Sequence, residues 1–182
     1  MTNNIDNKPN IFYITSVSVL TFVLPTIGFI AEHFITDTAL TLDLFSKWFI
    51  FSAVGLRLFF AGVKQVKNPE FTAKHIFHID SPDSFPILRE LGFANICFGL
   101  TAIVSLFKPE WRIVSAFASG IYYGIAGVQY GLKKTSGSSE KFTLWTDLFI
   151  FVILFIYSIR SIEIKHSTAI LPSYNEVAIT HF

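Results

Sequence analysis

Seven polar side chains could do chemistry inside an otherwise oily chain: Arg57, Gln65, Arg89, Glu90, Asn95, Gln129 and Asp147. Two guanidinium groups face two carboxylates, so the charges can cancel, and the three amides can both donate and accept. Such a set could grip the polar head of a lipid or quinone, or seat a polar partner helix. It could also place a titrating carboxylate on a transport route. The plainer reading is that it locks helices into one rotation. Arg57 poses the problem most sharply. It lies within Ser46 to Gln65, a stretch bracketed by Lys47 and Lys64 and long enough to cross a hydrocarbon layer, which takes about 20 apolar residues. Its guanidinium cannot shed its proton, and an arginine at membrane depth costs roughly 2.5–3.5 kcal/mol on insertion scales. It requires a partner, a wet cavity or a route to the surface.

The elements that must position these groups read as membrane spans. Of 182 residues, 52% are hydrophobic, 21 are Phe and only 15% are charged, against about 25% charged in a soluble domain. Mean hydropathy is +0.53, and the charges are clustered between long apolar runs. The fold class expected is all-α, an integral membrane bundle of five helices. Residues 1–10 form a polar tail. The first span runs from Ile11 to Ala31, with Pro25 kinking it and its Ser and Thr hydroxyls bonding back to their own carbonyls. A four-helix core follows over 46–159, with spans at Ser46 to Val63, Ile87 to Phe107, Arg112 to Leu132 and Phe142 to Ile159. Residues 160–182 read as a polar tail, extended or disordered. Asn68-Pro69 fits a helix start, with Asn as cap and Pro at the first position.

Small residues fall in stripes that let helices approach closely. Gly55 and Gly62 share one face of the second span. Gly92 and Gly99 line the third, with Asn95 between them. Ala116, Gly120, Gly124, Gly127 and Gly131 make a narrow stripe on the fourth, for contact inside the bundle or between protomers. Gln129 points away from that stripe.

Threading five spans puts six of these groups, Arg57, Arg89, Glu90, Asn95, Gln129 and Asp147, in one membrane half. Arg57 is seven residues before Lys64, about 10 Å below that surface at 1.5 Å per residue. Arg89, Glu90 and Asn95 open the third span from the same side, Gln129 leaves the fourth there and Asp147 enters the fifth there. That side carries eight Lys and Arg, the other five, which places the N-terminus in the cytoplasm.

Other motifs carry less. Glu32-His33 reads as an interfacial helix end. His75, His78 and Asp80 read as solvated loop residues rather than metal ligands, because Asp80 leaves the shared face. Cys97, the single cysteine, excludes an intrachain disulfide and reads as a buried, inert thiol. The first apolar run is longer than a signal-peptide core and reads as a retained span. A net charge of +1 gives no electrostatic case for nucleic acid. No Gly-rich nucleotide loop, haem-like His pair or nucleophile motif appears.

Lys47-Trp48, Gly55-Leu56-Arg57-Leu58, Ala61-Gly62-x-x-Gln65 and Asn68-Pro69-x-Phe71-Thr72-Ala73 resemble a family of small bacterial membrane proteins of unknown function. Arg89 to Asn95, Ser105-Leu106-Phe107, Ala126-Gly127 and Asp147 continue the likeness, which covers Ser46 to Ile159. That family's histidine after Ala-Gly-x stands here as Gln129, which speaks against proton transfer at that position. The resemblance implies no activity; it implies a bacterial inner-membrane location. In architecture the four spans from Ser46 are also similar to DoxX-like proteins, some of them subunits of quinone-linked oxidoreductases. The function expected is an accessory or binding membrane protein with a polar pocket for a lipid or quinone head group or a partner helix. A small-solute or proton-coupled transporter and a redox membrane subunit are the alternatives. No cofactor is assigned.

Overall fold

A computed structural model of the chain describes residues 11–77, 79–132 and 138–179. The terminal residues 1–10, His78 and most of the Ser-rich linker fall outside these, and with them the expectations placed there. Among the described residues every regular element is helical. Helix α1 is Ile11–Thr36 and α2 is Leu42–Lys67. The short α3, Pro69–Thr72, runs into a wide turn at Ala73–Phe77. Then come α4, Phe85–Val104, α5, Glu110–Leu132, and α6, Ser138–Ile179.

Among the described residues, four segments are long and apolar enough to cross a membrane: Ile11–Thr36, Leu42–Lys67, Pro82–Val104 and Lys141–Ile164. Helix α5 has the length, with 23 residues, but its glycines, serines and tyrosines dilute its hydropathy. The surface fits hydrocarbon rather than water. Ile87, Phe107 and Trp145 are each at least 70% exposed, and apolar exposure on this scale would be a liability in water.

Several boundaries follow local chemistry. Asn68 Oδ1 accepts from Phe71 N at 3.0 Å, with Pro69 in the first position, as expected. Helix α2 begins at Leu42, earlier than Ser46, because Thr41 Oγ1 accepts from Leu44 N at 3.2 Å and caps it. Ser81 and Pro82 open a 3₁₀ turn, Pro82–Ser84, that leads into α4. Helix α6 continues to Ile179, so the stretch from Arg160 is helical rather than extended. No residue between Arg160 and Leu171 is a helix breaker, so prolonging the helix that far costs little, and Pro172 falls in its last two turns.

Two π-turns interrupt the first two helices, at Val19–Val23 and Ile50–Leu56. The first directly precedes the predicted kink at Pro25, whose ring crowds the carbonyl four residues back. The two wide turns lie side by side, and Ser52 Oγ donates to the Leu20 carbonyl at 2.6 Å. Ser16 and Thr26 bond back to the Phe12 and Phe22 carbonyls, the self-satisfied hydroxyls expected of this span.

The glycine stripes set the close packing. A Cβ on Gly62 would come within 2.5 Å of the Gly92 carbonyl oxygen, and one on Gly99 within 2.6 Å of Phe59 N. Gly55 abuts Ala102 and Ile103, and Gly92 abuts Gly62 and Gln65. The stripes of α2 and α4 thus close on each other, backbone against backbone. On α5, Gly120, Gly124, Gly127 and Gly131 face Leu154, Phe151, Leu148 and Leu144 of α6. Ala116 is fully buried beside them. This stripe meets α6 inside the bundle, one of the two contacts expected for it. The apolar centre gathers Phe49, Ile50 and Val54 with Ala102, Ala116, Ile150 and Leu154.

Candidate functional site

The widened turn Ile50–Leu56 ends at Arg57, and wide turns of this kind re-aim the side chains that follow them. Arg57 points into the bundle and is 8% exposed. Its Nη2 donates to Asp147 Oδ1 of α6 at 2.6 Å and to Thr146 Oγ1 at 3.2 Å. Thr146 Oγ1 donates in turn to the Thr143 carbonyl at 3.0 Å, and Thr143 Oγ1 shares a 2.8 Å bond with the Tyr13 hydroxyl of α1. The guanidinium carbon sits 5.3 Å from the centroid of the Tyr123 ring, a cation–π distance. The Tyr123 hydroxyl donates to the Ala53 carbonyl at 3.2 Å, inside the widened turn. Four helices therefore converge on one charge.

A buried ion pair recovers its desolvation only with good geometry and further hydrogen bonds, and this one has both. One atom is left over. Arg57 Nη1 is buried without a hydrogen-bond partner.

Asn95 lies on the buried face of α4 and is 3% exposed. Its Nδ2 donates to Gln65 Oε1 of α2 at 2.7 Å, across the glycine contact that brings these helices together. Asn95 Oδ1 is also buried and unpartnered. The Tyr122 hydroxyl interacts with the Asn95 side chain and lies in the field of Arg57 and Asp147, so it connects the two groups. Around Arg57 this leaves an unpartnered donor, Arg57 Nη1, and an unpartnered acceptor, Asn95 Oδ1; elsewhere among the described residues several buried hydroxyls, Thr21, Ser46 and Ser119 among them, also have no partner.

The structure does not bring in the other three residues of the expected cluster. Arg89, Glu90 and Gln129 are exposed. The buried face of α4 is Leu88, Gly92, Asn95, Gly99 and Ala102; Arg89 and Glu90 follow Leu88 by one and two residues, about 100° and 200° around the helix. Gln129 sits two residues past the buried Gly127, equally far from the face that meets α6. Arg57 is therefore balanced by Asp147 alone, and Arg89 and Glu90 belong to the surface. Cys97 is exposed rather than buried, because an apolar run in a membrane helix has an outward side as well.

The opposite end of the bundle holds ionic contacts not foreseen in the sequence. Lys47 Nζ donates to both Glu32 oxygens at 2.6 and 2.7 Å, and Trp48 Nε1 donates to Glu32 Oε2 at 2.7 Å. Trp48 lies over Gly28, where a Cβ would fall 2.3 Å from its ring. Arg112 Nη1 donates to Asp43 Oδ2 at 2.7 Å, with Tyr157 near the other oxygen at 3.4 Å. The signal available was the shortness of the loops at that end, which forces their charges together. Outside the spans, Lys74 Nζ donates to Glu70 at 2.6 Å, which draws the carboxyl below its usual range and the ammonium above it. Both are exposed, and the pair is ordinary i,i+4 support. Among the described residues no group of three His, Cys, Asp or Glu could hold a metal ion.

A family model described as a family of unknown function (DUF6790) matches residues 13–166, and the chain belongs to that family. No curated protein and no solved structure matches the chain.

Proposed function

We propose that this member of an uncharacterised family is a five-span accessory or binding protein of a bacterial inner membrane. Its buried core would hold the head group of a neutral, quinol-type amphiphile. The reading rests on one observation: Arg57 Nη1 and Asn95 Oδ1, a donor and an acceptor, are both buried without partners. Unsatisfied groups of this kind cost about 1–3 kcal/mol each, more when charged. A ligand that both accepts and donates removes that cost. The charge of Arg57 is already matched by Asp147, so a phosphate would bring an unbalanced anion into the core. Ring hydroxyls, which accept and donate without charge, suit it better.

The fifth span is α5. Its polar residues Ser119 and Tyr123 are buried in the bundle, while its outward side is Val114, Phe117, Ile121, Ile125 and Val128. Low hydropathy along this helix therefore reflects its inner face, not the face toward lipid. The eight-to-five excess of Lys and Arg favours a cytoplasmic N-terminus.

Organic extraction of the purified full chain, followed by absorbance and mass spectrometry, tests the reading. A prenylated quinone or quinol is expected at near-stoichiometric amount, reduced in Asn95→Leu, which keeps the Arg57–Asp147 pair. An extract without such a ring, or one unchanged by Asn95→Leu, overturns it. Retention of a second polypeptide through the same residues would point to a partner helix instead.

A further inference from the structure

A second feature lies apart from the Arg57 core and shares none of its residues. A cleft of about 720 Å³ lies between α4 and α5, lined by Ala94, Cys97, Phe98, Thr101, Ser115 and Ala118, with Glu110 and Trp111 at the end where α5 begins. Its volume is within the range of about 300–1,000 Å³ that holds small ligands. Two alanines and a cysteine leave it open where the flanking Phe93, Leu100 and Phe117 are bulky and exposed.

The lining is graded along the axis of α5. Trp111 has the amphipathic ring found at membrane–water boundaries, which suits a mouth at head-group level beside the Glu110 carboxylate. Glu110 forms no ion pair with a described residue. Ser115 is five residues further in, about 7.5 Å deeper at 1.5 Å per residue. That depth matches the inner edge of a head-group layer roughly 5–7 Å thick, where ester linkages lie. Ser115 is 3% exposed and its hydroxyl has no partner; a serine hydroxyl reorients about a single torsion. Below it the walls are apolar down to Ala94 and Ala118.

We propose that this cleft binds one ethanolamine glycerophospholipid of the leaflet on the Glu110 side. The ammonium head sits on Glu110, an ester carbonyl accepts from the Ser115 hydroxyl, and one hydrocarbon chain runs between Phe98 and Ala118. The carboxylate selects the cationic head, and the serine fixes the depth of the chain.

Native mass spectrometry of the full chain, released from vesicles of equal phosphatidylethanolamine and phosphatidylglycerol, tests this. One phosphatidylethanolamine is expected to stay bound. Glu110→Gln should abolish the preference for it, and Ser115→Ala should lower retention by up to about tenfold, the scale of one hydrogen bond. Ala118→Phe and Cys97→Phe fill the cleft from opposite walls at positions that carry little of the core, and each should expel the lipid. Bound lipid that follows the bulk mixture, or survives both filling variants, overturns the proposal. Because Asn95 is outside the cleft, Asn95→Leu should leave this lipid in place, which separates the outcome from that of the quinol reading.

Discussion

Arg57 and Asp147, ninety positions apart in the chain, meet at 2.6 Å with side chains only 8% and 6% exposed. The contact ties the middle of α2 to the first turns of the apolar stretch of α6, and Thr146 and Tyr123 complete the shell around it. Its geometry makes either residue alone a liability.

Removing one partner strands the other. Arg57→Ala should destabilise the bundle by about 3–5 kcal/mol, the usual cost of an uncompensated buried charge. Arg57→Met with Asp147→Leu should regain most of that loss, since an apolar pair of similar volume replaces a desolvated ion pair. Unfolding in mixed micelles, run as a double-mutant cycle, checks both; equal losses in single and double variants would contradict the pairing.

The glycines of α2 and α4 should behave differently from those at the end of α5. Gly62→Ala and Gly99→Ala place a methyl 2.5 and 2.6 Å from backbone atoms, an overpacking expected to cost about 1–3 kcal/mol. At Gly131 the nearest atom would be Leu144 Cδ1 at 3.8 Å. There Ala should be neutral or gain up to about 1 kcal/mol of helix propensity. The same micelle assay reads the sign.

With α5 as the proposed fifth span, the two ends of the chain are expected on opposite sides. With Cys97→Ser as background, single cysteines at Asp43 and Asp80 should react with an impermeant thiol reagent from opposite faces of sealed vesicles. Topology reporters at the two termini should likewise disagree. Agreement between the termini would remove α5 from the membrane.

Glu32 holds both Lys47 and Trp48. Glu32→Gln should cost about 1 kcal/mol, because the pair is partly exposed and screened, and it should shift Trp48 emission to the red in a Trp111→Phe, Trp145→Phe background. Gly28→Val should give a larger shift by pushing the indole off its seat. Unchanged emission in both would place Trp48 elsewhere.

Much was legible in the order of residues alone. Apolar runs of membrane length, the Asn68 cap, and the glycine faces of α2, α4 and α5 are periodic or local signals, and they require no knowledge of neighbours. The outward placement of Arg89, Glu90 and Gln129 was also written in the helical period: each lies off the small-residue face of its own helix. Tertiary structure alone decided which carboxylate Arg57 takes, because the choice depends on the rotation of α6 and on a π-turn that re-aims α2. It also decided that the α5 stripe closes on α6 within one chain, and that Cys97 faces outward. Spacing along a helix says which residues share a side; only the packed bundle says whether that side meets protein or lipid.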